Sequence, residues 1–344
     1  MNKRLATVFF LAFAVASAHA TDDPWLPKVP VLTLPADFGT APAAKNSNAP
    51  VLLTQPTDGR TLILDLINHA QSSINLTIYE LEDNQIIEAL TAAAGRGVNV
   101  RVIYNHNSFL HRPKDPNAEA VAKLNAAGVK TKPASSRFRI THQKTFTFDD
   151  STAVIMTFNL APNYFTGTRD FGVVTADPAE VAEIFQVFEA DWNDTTLSPS
   201  NPNLVWSPDN SRAKLLTLIN SASKTLEVYG QEAEDKECMQ ALIDAAQRGV
   251  VVRFITAVLD DTANGEDKNA KEREYLNAHH VQAEGLKSPY IHAKMILADD
   301  RRVFLGSENF SYTSLNENRE LGVLVDDPNI LSSLKNTFDS DWPR

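Results

Sequence analysis

The chain has 344 residues, with 32 Lys and Arg against 43 Asp and Glu and a formal net charge of -11. A balance this acidic repels polyphosphate and anionic bilayers, which argues against a general nucleic-acid binder. One cysteine, Cys238, excludes an internal disulfide. Its setting in a helical stretch makes it a packed thiol rather than a nucleophile or metal ligand.

The chain starts with Lys3 and Arg4, continues through an uncharged apolar run over 5–18, and reaches the small-x-small step Ala18-His19-Ala20. That order predicts a secretory signal over 1–20, cleaved after Ala20, and a secreted or periplasmic protein. The apolar run falls short of the roughly 20 residues that span a bilayer, so no integral membrane anchor is expected. Removal of Lys3 and Arg4 with the leader, which holds no Asp or Glu, takes the net charge to -13. Residues 21–50 are rich in Pro and Ala and read as an extended lead-in.

From there the chain is written twice. Leu66-Ile67-Asn68 meets Leu218-Ile219-Asn220, and Arg96-Gly97-Val98 meets Arg248-Gly249-Val250, at an offset of 152. Later the offset is 150: His142 with His292, Asn159 with Asn309, Asp170 with Glu320, and Asp191-Trp192 with Asp341-Trp342. Each copy predicts helix, strand, helix ending at the Gly of RGV, and a β-rich run (VNVRVIY or VVVRFIT). A loop with a short helix, a β-hairpin, a strand (FGVVTA or LGVLVD) and a closing helix follow. The expected fold is α/β, two pseudo-symmetric domains of mixed sheet flanked by helices, over 51–200 and 201–344. The Pro, Ser and Asn-rich run 193–204 is the natural linker.

The chemistry concentrates in ITHQKTFTFDDSTAVIMTFNL and IHAKMILADDRRVFLGSENFS. In each, His and Lys are two apart on a predicted strand and so share a face. An even-length turn centred between 150 and 151 would set His142 opposite Asn159 and Lys144 opposite Thr157. The matching turn between 300 and 301 would set His292 opposite Asn309 and Lys294 opposite Ser307. A bulge or odd-length turn breaks that register. Imidazole can attack phosphorus or donate a proton, Lys supplies a fixed cation, and Asn and hydroxyl groups bind non-bridging oxygens. A lone His-x-Lys on a strand is more often a chance surface pair. Two copies matching in His, Lys and Asn, while Gln143/Ala293 and Thr145/Met295 have drifted, point to one shared site.

Asp149 and Asp299 fall at the turns and read as turn-forming carboxylates. Asp170 and Glu320 are the candidates for orienting the imidazoles, since a working His needs its second ring nitrogen held. Lys130, Lys132, Arg137 and Arg139 lead into His142 and could draw in an anion. Metal chemistry is not indicated: no HExxH or Cys-His cluster occurs, and His279-His280 and His106-x4-His111 read as loop or helix-end residues.

These motifs resemble those of the phospholipase D superfamily over about 51–344. IHAKMILADD, LGSENFS and NENRELGV match its HKD strand, Gly-Ser-x-Asn strand and Asn-x-Glu turn, while MTFNLAPNYFTG departs by placing Thr157 where Ser is expected. The resemblance implies a cofactor-free, two-step mechanism through a phosphohistidine, with His142 as nucleophile and His292 as acid and base. It also implies that Lys144, Lys294, Asn159 and Asn309 stabilise the transition state and that Thr157 and Ser307 contact substrate.

Phospholipid head-group hydrolysis by a monomer touching the membrane transiently is the expected activity. Phe109-Leu110, Tyr164-Phe165, Phe310 and Tyr312 are candidates for a lipid-binding mouth or for ordinary loop packing. The alternatives are a secreted nuclease, in which those aromatics stack bases, and a non-catalytic binding protein.

Overall fold

The computed structural model describes residues 49–106, 115–258 and 267–343. The leader, residues 21–48 of the lead-in, Phe109, Leu110 and His111 lie outside the described residues.

The first repeat runs β1 (Val51–Gln55), α1 (Thr61–His69), β2 (Ser73–Ile78), α2 (Asn84–Gly95), β3 (Asn99–Tyr104), α3 (Ala118–Ala126), β4 (Lys130–Pro133), β5 (Thr145–Phe148), β6 (Thr152–Met156), β7 (Thr168–Thr175) and α4 (Pro178–Trp192). The second runs β8 (Leu204–Ser207), α5 (Ser211–Ser221), β9 (Thr225–Gly230), α6 (Lys236–Gln247), β10 (Val251–Ala257), α7 (Ala270–Ala278), β11 (Gln282–Leu286), β12 (Tyr290–Ile291), β13 (Met295–Ala298), β14 (Arg302–Gly306), α8 (Tyr312–Asn316), β15 (Glu320–Val325) and α9 (Pro328–Asp341). The expected order is present. Each repeat also gains an opening strand, β1 or β8, and a strand after its short helix, β4 or β11.

Local chemistry sets the boundaries in the same way twice. Asp83 accepts from the amides of Gln85 and Ile86 to start α2, and Asp235 accepts from that of Cys238 to start α6. Both helices end on a residue in the left-handed region, Gly97 at φ +93° and Gly249 at φ +90°. Val98 N then reaches back to Ala93 O, and Val250 N to Ala245 O, closing the helix ends.

The strand orders are β1-β7-β6-β5-β2-β3-β4 and β11-β10-β9-β13-β14-β15-β8, both mixed. One face of each sheet is covered by its own helices, as where Leu226, Val228, Ile296 and Phe304 pack with Leu215, Leu242 and Cys238. On the other face the two sheets meet. Ala153, Ile155, Phe171 and Val173 of the first share one buried cluster with Met295, Leu297, Leu305, Leu321 and Val323 of the second. Cys238 is fully buried and its thiol is pushed well above the ordinary range by burial, so it is packed and unreactive.

The hairpins correct the expected register. Asp149 and Asp150 sit at φ +51° and +52°, and Ser151 N donates to Phe148 O (3.0 Å). Phe148 then pairs with Thr152, so Ser151 is an extra residue and the centre moves half a step. Asp299 and Asp300, at φ +54° and +52°, do the same, and Ala298 pairs with Arg302. Lys144 therefore lies across from Met156, its carbonyl accepting from Met156 N (3.0 Å), and His142 is not opposite Asn159.

Both motif aspartates are structural. Asp149 accepts from the amides of Gln71, Ser72 and Ser73 and from the Ser72 hydroxyl. Asp299 takes the same role toward Ser223, Lys224 and Thr225. Burial opposes the Asp299 charge, but the amides and hydroxyl at Ser223, Lys224 and Thr225 hold its pKa down to about 2. Asp149→Ala is expected to cost about 1–3 kcal/mol by orphaning these donors and placing Ala at positive φ. Urea unfolding measures that loss, and turnover per folded molecule should stay the same.

Candidate active site

The segment carrying each His is not strand but a run just before β5 or β13, held by the other repeat. His142 N and Gln143 N donate to Arg319 O (2.9 and 3.0 Å), while His292 N and Ala293 N donate to Arg169 O (3.2 and 2.9 Å). β12 pairs with β7, and Thr141 bridges to Arg319, so the two repeats exchange these segments reciprocally. The arginines are anchored the same way: Arg169 holds Asp341 through two nitrogens (2.6 and 3.0 Å), and Arg319 meets both oxygens of Asp191 at 2.9 Å. Arg169 and Arg319 escaped the sequence reading. Their match at the 150 offset, immediately before Asp170 and Glu320, was the available signal.

The carboxylates cross over too. Nδ1 of His142 donates to Oε2 of Glu320 (2.8 Å), and Nδ1 of His292 donates to Oδ1 of Asp170 (2.9 Å). Because a carboxylate only accepts, the proton of each neutral ring is fixed on Nδ1 and the lone pair on Nε2. Both carboxylates are themselves held: Thr157 Oγ1 donates to Asp170 (2.6 Å), and Ser314 and Asn318 donate to Glu320 (2.7 and 3.0 Å). A tyrosine edge lies on each imidazole, Tyr79 on His142 and Tyr164 on His292, with centroids 4.8 Å apart in both pairs.

His142, His292, Asn159 and Asn309 line one cavity of about 360 Å³ with Tyr79, Tyr164 and other residues of both repeats. Asn159 and Asn309 each keep a buried side-chain oxygen with no hydrogen-bond partner. Lys144 and Lys294 are fully buried beneath this cavity, donating to the carbonyls of His142 and His292, and Lys294 also reaches Gln231 (3.2 Å). Thr157 and Ser307 do not line it. Thr157 braces Asp170, and Ser307 bonds the backbone of Leu321, so the expected substrate contacts are internal supports.

Other expected contributors fall elsewhere. Lys132 pairs with Asp194, Arg137 with Asp191 and Arg139 with Glu317, while Lys130 donates to Asn99. None of the four lines the cavity. Phe165 and Phe310 are core, packed on Phe158 and Phe254, whereas Tyr312 is 64% exposed. His279 ends α7 and His106 faces Asp115. A larger hollow of about 680 Å³ around Asp177, Glu180 and Asp327 is lined by no His, Lys or Arg.

Burial sets the charge states. It depresses His142 to about 4, with Glu320 pulling back and Lys144 adding to the fall, and depresses His292 to about 3, where Lys294 adds and Asp170 opposes. Burial also takes Lys144 to about 7, against the pull of Glu320, and Lys294 to about 8, against that of Asp170. Both imidazoles are thus neutral near pH 7. The folded values lie below the ordinary 6.5, so this stability is present above pH 6.5 and drains away as pH falls toward 3. His292→Asn should flatten that slope by up to about 1.4 kcal/mol per pH unit, measured by urea unfolding at several pH values.

Residues 63–192 and 215–342 match the family model described as "Cardiolipin synthase, PLD-like domain". Cardiolipin synthase 1 of Staphylococcus epidermidis is 23% identical over 83% of this chain and 66% of its own length. The mitochondrial cardiolipin hydrolase of Danio rerio is 26% identical over 38% of this chain and 57% of its own, and a phospholipase D of Rickettsia bellii is 28% identical over 41% and 69%. The chain thus spans less than two thirds of the first two. Among solved structures, phosphatidylserine synthase of Haemophilus influenzae superposes with a TM-score of 0.64 at 13% identity, covering 84% of this chain and 85% of that one. Polyphosphate kinase of Porphyromonas gingivalis gives 0.67 at 17%, covering 86% and 51%. These two likenesses concern the fold.

Proposed function

Because the chain belongs to the phospholipase D superfamily, which it matches in both repeats, we propose that it hydrolyses phospholipid head groups through a phosphohistidine. The observation that carries the reading is the reciprocal dyad pair, His142 with Glu320 and His292 with Asp170, lining one cavity.

One neutral imidazole attacks phosphorus through Nε2 while the other, protonated, delivers its proton to the leaving alcohol oxygen. The second imidazole then takes a proton from water, which displaces the first. Lys144 and Lys294 supply positive charge from beneath, and Asn159 and Asn309 bind the phosphoryl oxygens. His142 is assigned as nucleophile by resemblance. An arriving phosphodiester anion favours the charged imidazole, so it raises the pKa of the acid. The alkaline limb of kcat should therefore lie at higher pH than that of kcat/KM, and stopped assays across pH 4–8 check this.

Export is part of the proposal, supported by the basic, apolar and small-residue order of residues 1–20. A second reading is transfer to an alcohol, supported by the alignment of Cardiolipin synthase 1 along most of this chain. The deciding experiment offers phosphatidylethanolamine, phosphatidylglycerol, cardiolipin and single-stranded DNA in EDTA, with and without glycerol. Released head group supports hydrolysis, and a phosphatidyl-alcohol product at the expense of phosphatidic acid supports transfer. Cleaved DNA with intact lipid, or activity abolished by EDTA, refutes the proposal.

A further inference from the structure

Each histidine is held by two adjacent residues of the other repeat, and the first of the two also reaches away from the site. Arg169 gives its carbonyl to His292 N and Ala293 N while Asp170 takes the imidazole, and Arg319 and Glu320 do the same for His142. The arginine side chains run instead to the last turns of the closing helices. Arg169, in β7 of the first repeat, donates through Nε and Nη2 to Asp341 at the end of α9 in the second, with Nη1 on Gln55 O (2.6 Å). Arg319, ahead of β15, donates through Nη2 to Asp191 in α4 of the first repeat (2.9 Å), and its Nε lies 2.9 Å from the other oxygen. Each histidine is therefore tied to the helix that closes its own repeat by way of an arginine of the other. Asp191-Trp192 and Asp341-Trp342 match at the offset of 150, as the histidines do.

Stability does not call for these pairs. All four side chains are at most 12% exposed, and burying both charges of a pair costs desolvation that apolar residues avoid. The helices have other anchors: Val181, Ile184 and Val187 of α4, with Ile330, Leu334 and Phe338 of α9, are buried in the core between the sheets. What a two-point pairing of planar groups does supply is direction, because it fixes the arginine and with it the carbonyl that both amides use. The carboxylates are held in turn. Tyr229 donates to Asp341 (2.7 Å), and Arg137 donates to Asp191 (3.1 Å). None of Arg169, Arg319, Asp191 and Asp341 lines the cavity, so none touches substrate. Their effect on the reaction passes through the histidines, where a shift of about 1 Å costs roughly a hundredfold in rate.

We propose that Asp341 and Asp191 are positioning residues for the reaction: through Arg169 and Arg319, Asp341 sets the place of His292 and Asp191 that of His142. This rests on the phosphodiesterase reading and extends it to residues outside the cavity. The two aspartates then serve different chemistry. In the first step the bond from His142 Nε2 to phosphorus forms, the bond to the leaving oxygen breaks, and His292 gives that oxygen its proton. In the second, water gives a proton to His292 and its oxygen displaces His142. A p-nitrophenolate leaves without a proton, so its release draws on His142 alone, whereas release of ethanolamine draws on both.

The test follows the first turnover with the full chain in excess, on bis(p-nitrophenyl) phosphate and on phosphatidylethanolamine in neutral detergent micelles. Asp341→Asn should slow ethanolamine release by about tenfold or more and leave p-nitrophenolate release within about twofold of wild type. Asp191→Asn should slow both by about tenfold or more. Asp341→Glu, which keeps the carboxylate, should lie nearer to wild type. If the asparagine variants fail to fold, Arg169→Lys and Arg319→Lys, which keep the charge and lose the two-point grip, should give the same pattern. The opposite split, with Asp191→Asn sparing p-nitrophenolate, upholds the positioning and exchanges the roles of the two histidines. Equal losses on both substrates in both variants, or rates within about twofold of wild type throughout, overturn the positioning role. Absence of cleavage of either substrate by the wild type overturns the phosphodiesterase reading beneath it.

Discussion

His142→Asn and His292→Asn are each expected to lower kcat for phosphodiester hydrolysis by at least about a thousandfold, with the double variant no worse than the poorer single one. General acid-base catalysis by one positioned group contributes roughly a hundred- to ten-thousandfold, and loss of a nucleophile removes the covalent path. Groups that act as a unit are not additive, because losing either leaves nothing for the other to do. Both rings line one cavity and each is held across the repeats, so they form such a unit. Single-turnover assays with 32P-labelled lipid add a sharper readout: labelled protein should accumulate only where the nucleophilic His is intact. Independent, additive losses would mean two separate sites.

The second large effect concerns the crossed carboxylates. Glu320→Gln and Asp170→Asn should each reduce kcat on the order of a hundred- to ten-thousandfold with little change in fold. An amide no longer fixes the Nδ1 proton of the facing imidazole or stabilises its cation. Each carboxylate also has a second partner. Glu320 is the strongest influence holding up Lys144, whose pKa burial has already taken down to about 7, and Asp170 does the same for Lys294 at about 8. In Glu320→Gln, Lys144 should be largely neutral at pH 7, so the variant loses a cation as well as an orienting group. Its kcat should recover in part as pH is lowered toward 5, where Lys144 regains its proton, a response that plain loss of structure does not give. Glu320→Asp, which keeps the charge on a shorter arm, should retain more activity than Glu320→Gln at pH 7.

Much of the candidate site was readable because duplication writes each candidate residue twice. The pairs His142/His292, Lys144/Lys294 and Asn159/Asn309 stand out against drifted neighbours, and the structure gathers all six at one cavity or just beneath it. Asp149 and Asp299 do sit at the turns, but the amides they hold belong to residues 71–73 and 223–225, 74 to 78 residues earlier in the chain, so a local reading of turn carboxylates did not reach their partners.

Three features were not local and so could not be read that way. The half-step in each hairpin depends on whether two adjacent aspartates take positive φ, which residue type permits but does not require. The basic run 130–144 looks like an anion lure in sequence, yet Lys132, Arg137 and Arg139 find carboxylates brought from residues 191, 194 and 317 by tertiary packing. Above all, sequence alone assigned Asp170 and Glu320 to the imidazoles without saying which served which.

The sequence by itself determined the duplicated α/β fold, the residue types of the site and their equivalence. Tertiary structure decided that the repeats trade partners, with Arg169-Asp170 gripping His292 and Arg319-Glu320 gripping His142. The physical reason is that the apolar faces of the two sheets must bury each other. Packing them face to face carries the start of β7 beside β12, and the start of β15 beside the segment that holds His142.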